Sequence, residues 1–148
     1  MLLQSIVLSR LDFCCTIYCG LSKAAINQLE RLLKWCVRLL HGLKKRDSVT
    51  ERMRNLGWLP VRLRAEYSLL KLTHKVIHTE NSPGYLKELL TKYNPRRYLR
   101  SADQHLLCEH RVRHGLAGRS FYIYAPRLWN GLPGSLRTCV NYVTLKNT

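Results

Sequence analysis

Acidic side chains are scarce. Nine Asp and Glu stand against 25 Lys and Arg in 148 residues, a formal net charge of +16. The three aspartates, Asp12, Asp47 and Asp103, lie far apart and none sits in a Tyr-x-Asp-Asp signature. The glutamates are equally dispersed. Two-metal nucleotidyl transfer needs clustered carboxylates to hold its cations, so the chain lacks the means for it. A phosphate-cradling Gly-rich loop, a Gly-x-Ser-x-Gly elbow and a His-Glu-x-x-His helix are missing too. These absences predict no catalytic residue, no cofactor and no small-molecule substrate; the chain alone is not expected to be an enzyme.

Long apolar runs are also lacking. Arg10 and Asp12 interrupt the N-terminal stretch from Met1 to Leu21, which has no basic leader segment. That does not read as a signal peptide or a membrane span, and predicts an intracellular protein, cytoplasmic or nuclear, neither secreted nor membrane-bound. The six cysteines show no framework spacing: Cys14, Cys15 and Cys19 sit in the apolar N-terminus, while Cys36, Cys108 and Cys139 are scattered. Free thiols in a reducing compartment are the simpler reading. Paired Cys-x-x-Cys ligands are missing as well. His74 and His78 are one helical turn apart without a flanking carboxylate. Cys108, His110 and His114 would need a distant fourth ligand such as Cys139, so no metal is expected.

What is present is an apolar fraction of 46%, enough for a hydrophobic core in a single domain of this length. The pattern predicts a mainly α fold, a small irregular helical domain over 1–148. It is helical over 1–92 and turn-rich over 93–148, with one short helix around 121–130 and a short extended run at Leu106–Val112. The first helix is expected from Leu2 to Tyr18, before Gly20, and the second from Ser22 to His41, stopped by Gly42. In the second, Ile26, Leu29, Leu33, Val37 and Leu40 mark a buried face, widened by Leu32, Trp35 and Leu39. A capping box of Ser48 and Glu51 opens a short third helix that stops at Gly57. Pro60 opens a fourth, running to about Thr79 with a core stripe of Leu63, Tyr67, Leu70 and Ile77. Ser82 and Pro83 start a small helix through Leu90.

Cations are placed where helices can segregate them. Arg31, Lys34, Arg38 and His41 recur three and four apart, opposite the apolar positions, and Arg64, Lys71, Lys75 and His78 repeat the arrangement. Ten Lys or Arg fall between Arg31 and Arg64 inclusive, among them Lys44, Lys45 and Arg46 in the loop after the second helix. A further set, Lys92, Arg96, Arg97 and Arg100, is interleaved with Tyr93 and Tyr98, rings suited to stacking on unpaired bases. Such surfaces favour polyanions through counterion release, and predict phosphate contact rather than base readout.

Several blocks also resemble a known family. Ser9-Arg10-Leu11-Asp12-Phe13-Cys14 is similar to the Ser-Arg-Leu-Asp-Tyr-Cys block that follows the polymerase core in jockey-like and related LINE-type (non-LTR) retrotransposon reverse transcriptases. Gly20-Leu21, the helix end near Arg38-Leu39, Lys45 to Thr50, and Leu56 to Val61 follow in the family's order. So do Pro83-x-Tyr85-Leu86, Leu99-Arg100-Ser101, and Ala125 to Pro133. Phe13 stands where the family commonly has Tyr, Gly57 where His often precedes Trp, and Val143 to Lys146 replaces a longer closing helix.

The resemblance implies the thumb-like region after the palm of an RNA-directed DNA polymerase, a truncated copy whose reading frame begins at an internal Met. It also implies a grip on RNA or an RNA–DNA hybrid. Arg31, Lys34, Arg38 and Lys44 to Arg46 would lie toward the nucleic acid. The functional expectation is therefore a non-catalytic fragment with sequence-independent RNA or DNA binding. Its rivals are a helical protein-contact module, with Trp35, Trp58 and Trp129 exposed where a palm once packed, and a relic without function.

Overall fold

The computed structural model of this chain describes residues 2–95, 105–113, 115 and 117–138. It is mainly helical. Helix α1 spans Leu2–Asp12, α2 Lys23–His41, α3 Thr50–Asn55, α4 Val61–His78, α5 Gly84–Leu89, α6 Phe121–Asn130 and α7 Gly134–Thr138, with 3₁₀ segments at Cys15–Gly20 and Ala117–Arg119. The backbone resolves into two compact units, Met1–Ser68 and Leu69–Thr148, and the division falls within α4.

The first unit is organised around α2. Ser22 caps its N-terminus, the hydroxyl accepting from the Ala25 amide at 3.3 Å. Gly42 stops it at φ 60°, a left-handed conformation that costs glycine little, and the Leu43 amide reaches back to the Arg38 carbonyl at 3.0 Å. The end of α3 repeats the device. Gly57 takes φ 65°, its amide donates to the Arg54 carbonyl at 2.9 Å, and the Trp58 amide donates to the Met53 carbonyl at 2.8 Å. This reversal brings Trp58 back onto Met53 in a core with Leu33, Val37, Val49 and Val61. Val7, Leu8, Leu11, Tyr18, Leu29 and Leu56 pack against that core.

Three expectations need correction here. The first helix does not reach Tyr18: it ends at Asp12, and Cys14 adopts φ 50° before the chain continues as a 3₁₀ turn. The bend buries Cys15 and packs Tyr18 on the core while Phe13 and Ile17 stay exposed, an arrangement a straight helix would not give. Ser48 does not cap α3. Val49, a core residue, takes the cap position without a side-chain bond. The chain before it is fixed by a turn in which the Lys44 amide donates to Asp47 Oδ2 at 2.7 Å and the Asp47 amide to the Lys44 carbonyl at 3.1 Å. The buried stripe of α4 is also rotated from the expected one: Val61, Ala65, Leu69, Thr73 and Val76 are buried, whereas Leu63 is half exposed.

In the second unit the core holds Leu69, Val76, Leu90, Leu107, Ile123, Ala125 and Trp129. Pro126 sits inside α6, where its missing N–H removes one intrahelical bond, yet the helix persists to Asn130 and is stopped at Gly131. The end of α6 then serves as a clamp. Trp129 Nε1 donates to the His105 carbonyl at 3.0 Å. Asn130 treats Leu107 as a neighbouring strand would: its Oδ1 accepts from the Leu107 amide and its Nδ2 donates to the Leu107 carbonyl, both at 2.9 Å. The same Nδ2 reaches Glu109 Oε1 at 2.8 Å. Leu107 also forms an isolated antiparallel bridge with Lys92, within the run expected to be extended. Arg137, from the unforeseen helix α7, is buried and donates from Nη1 to the Asn130 carbonyl at 2.8 Å, placing a cation on the negative end of α6.

Replacing Asn130 by Asp keeps the acceptor but removes the donor and sets a second carboxylate beside Glu109. This substitution is expected to destabilise the second unit by about 2 kcal/mol in urea unfolding. A change below about 0.5 kcal/mol, the size of an ordinary surface substitution, would show that the clamp carries no weight.

Candidate nucleic-acid interface

Helix α2 divides into three faces. Leu33 and Val37 are buried, with Ile26 and Leu29 half-buried beside them, whereas Leu40, expected on the same face, is exposed. Arg31, Lys34 and His41 are exposed and Arg38 is half-buried, so the expected cationic stripe exists and borders the core face. The short turn after α2 carries Lys44, Lys45 and Arg46, all exposed. Closure of that turn by Asp47 fixes three cations within a few residues of the helix end.

Of the five acids in this unit, two are in ion pairs and Glu51 is exposed on α3. Asp47 accepts from the Lys44 backbone, Asp12 pairs with Arg64, Glu66 pairs with Arg62 at 3.0 Å, and Glu30 accepts from the Arg62 amide at 3.5 Å. Neither ion pair involves a cation of α2 or of the turn after it, and with Asp47 and Glu30 as the acids on these same segments the cations remain in excess, which is how a positive potential builds over a surface.

The second expected stripe is less coherent. Arg64 is not a free surface cation, since its largely covered guanidinium pairs with Asp12 from α1. Lys71 is half-buried, Lys75 is exposed, and His78 turns toward other aromatic rings. Lys92 and Tyr93 are exposed and tied to the 106–108 segment through backbone bonds. Arg96, Arg97 and Arg100, with Tyr98, lie outside the described residues.

The tryptophans separate sharply. Trp58 and Trp129 are core residues, 4% and 1% exposed, so the expectation that all three are surface residues fails for two of them. Trp35 is 62% exposed. Leu32 and Leu39, expected to widen the buried face, are exposed with it, forming an apolar ridge on the side of α2 away from the core. Sequence reasoning missed this ridge because an apolar arc covering more than half a helix does not declare which part meets a neighbour. A groove of about 660 Å³ runs beside it, lined by Trp35, Arg38, Leu39, Gly42, Leu43 and Lys45.

No protein-family profile, curated protein or solved structure matches this chain. Among the described residues no group of three His, Cys, Asp or Glu is placed to hold a metal ion, and no helix is long and apolar enough to cross a membrane.

His74 and His78 form a separate cluster. His74 is buried in the apolar stripe, as expected, and its ring centroid lies 4.4 Å from that of His78, with Trp129 6.2 and 6.4 Å from the two. Burial lowers the His78 pKa from its ordinary 6.5, and His74, Lys92 and His105 push it the same way. Above about pH 6.5 the ring is neutral whether folded or unfolded. As pH falls below that value the unfolded chain takes the proton first, so stability declines until the pH has passed through the folded value. Urea unfolding is accordingly expected to show lower stability at pH 5 than at pH 7, and His78→Gln should flatten that slope. An unchanged slope in the variant would place the acid sensitivity elsewhere.

Proposed function

We propose that this chain is a non-catalytic nucleic-acid-binding module that engages RNA, DNA or an RNA–DNA hybrid through phosphate contacts, without sequence preference. The carrying observation is one surface: Arg31 and Lys34 exposed on α2, continued by Lys44, Lys45 and Arg46 in the turn that Asp47 closes. The ion pairs Arg62–Glu66 and Arg64–Asp12 leave these cations out, so they are available to neutralise phosphates and release counterions. A surface of this kind reads charge and backbone spacing.

The ordered sequence blocks from Ser9 to Pro133 support a more particular reading, in which the module is a piece of a LINE-type reverse transcriptase from the region after the palm. In that setting a sequence-independent grip is the useful property, because template and product change at every step. The absence of clustered carboxylates in the sequence leaves the chemistry to a separate catalytic region.

Anisotropy of a labelled RNA–DNA hybrid, titrated across a salt series, tests the binding claim. The wild-type chain is expected to lose affinity steeply with salt. Joint replacement of Arg31 and Lys34 by Gln should weaken binding and lower the log–log slope by about 1 for each phosphate no longer neutralised. Extending the change to Lys44, Lys45 and Arg46 should lower it further. Affinity and slope that survive all five substitutions would contradict the assignment of this face.

A further inference from the structure

The groove beside Trp35 has a chemistry that the basic face alone does not explain. An indole 62% exposed on a helix, with Leu32 and Leu39 also bare, leaves a flat apolar surface in water. Cations border the groove: Arg38 arises within the helix and Lys45 from the closed turn after it. Arg38 is half-buried beside the groove, which keeps its charge at the rim, while its Nε is covered and has no hydrogen-bond partner. Gly42, at φ 60°, has no atom within 4 Å of the place a Cβ would occupy, so the groove is open where the helix ends. Its volume, about 660 Å³, is in the range that accepts a small flat molecule.

We propose that this groove takes an unpaired nucleobase, stacked on the Trp35 indole, with the phosphates of the same strand held by Arg38 and Lys45. The occupant is therefore single-stranded nucleic acid, either a free strand or the unpaired tail of a duplex. Charge decides the choice of partner: the ridge of Leu32, Trp35 and Leu39 is bordered by the cations Arg38 and Lys45, which suits a polyanion carrying flat apolar rings. Base stacking on an aromatic side chain is tolerant of sequence, in keeping with a surface that lacks base readout. The inference rests on the basic-face reading and adds to it the kind of strand and the side chain that holds it.

The test compares a blunt RNA–DNA hybrid with the same hybrid carrying an unpaired tail, by anisotropy across a salt series. Wild type, Trp35→Ala and Trp35→Phe are assayed, each checked for unchanged helical circular dichroism and for association state by sedimentation. Trp35 is outside the core, whereas the buried Trp58 and Trp129 remain to report on folding. Wild type is expected to prefer the tailed hybrid. Trp35→Ala should lose about 5- to 150-fold in affinity for the tailed form, keeping its salt slope and its blunt-hybrid affinity, while Trp35→Phe retains most of the preference.

If Trp35→Ala keeps the tail preference, or if wild type binds tailed and blunt hybrids equally with a steep salt slope, the stacking site is wrong and the basic-face reading stands. Failure of wild type to bind either form at low salt overturns both. A self-associating wild type made monomeric by Trp35→Ala, with tail affinity unchanged, would assign the ridge to a second copy of the chain and overturn the inference.

Discussion

Burial of Leu33 and Val37 in one core with Met53 and Trp58 sets the orientation of α2, and the surface chemistry of the first unit follows from that seating. A helix turns once in about 3.6 residues, so fixing two positions on the core fixes the directions of all the others. With Leu33 and Val37 inward, Arg31 and Lys34 have no place but the surface, and Leu32, Trp35 and Leu39 are carried to the side away from the core. The left-handed turn at Gly57 makes the seating possible, since it folds Trp58 back over Met53 within a few residues of the helix end. Truncating Val37 or Trp58 would therefore disturb the cationic face indirectly, by freeing the helix that presents it.

The second unit depends on a different kind of constraint. Its 105–109 segment belongs to no sheet, and backbone amides and carbonyls near a core need partners. The Asn130 side chain supplies them in pairs, and Trp129 adds a bond to His105 while filling the core. These adjacent residues explain why a Trp-Asn pair closes α6: one provides volume and the other substitutes for a missing strand. The proline four residues before Asn130 is tolerated in the middle of the helix, in a core where Ala125, Pro126 and Trp129 are all buried.

Much of this was legible in the residues. Ser22, Gly42, Gly57 and Pro60 placed the helix boundaries of the first unit, because caps and stops follow from local backbone chemistry. The mainly α character and the position of α6 followed from periodicity, and the short α5 from the turn and start signals at Ser82 and Pro83. What escaped was decided at a distance. Arg64 lies in a regular cationic series, but its partner Asp12 is 52 residues away, and no local pattern announces the pair. The break at Cys14 comes from packing Tyr18 on the core. The rotated stripe of α4 and the exposure of Trp35 share a cause: periodicity measures how wide an apolar arc is, whereas burial depends on which neighbours arrive. For the candidate site, the cations of α2 and the following turn were identifiable from spacing; the groove beside them was not, since it depends on Trp35 facing outward.

Lysine-reactive footprinting of the chain with and without an RNA–DNA hybrid tests most directly whether α2 and the turn after it meet nucleic acid, since Lys34, Lys44 and Lys45 are exposed and so is Lys75 in the second unit. Selective protection of Lys34, Lys44 and Lys45, with Lys75 still reactive, is the predicted result. Uniform protection of all four, or protection of Lys75 alone, would contradict the assignment and mean that the positive charge acts as a diffuse cloud or at another surface.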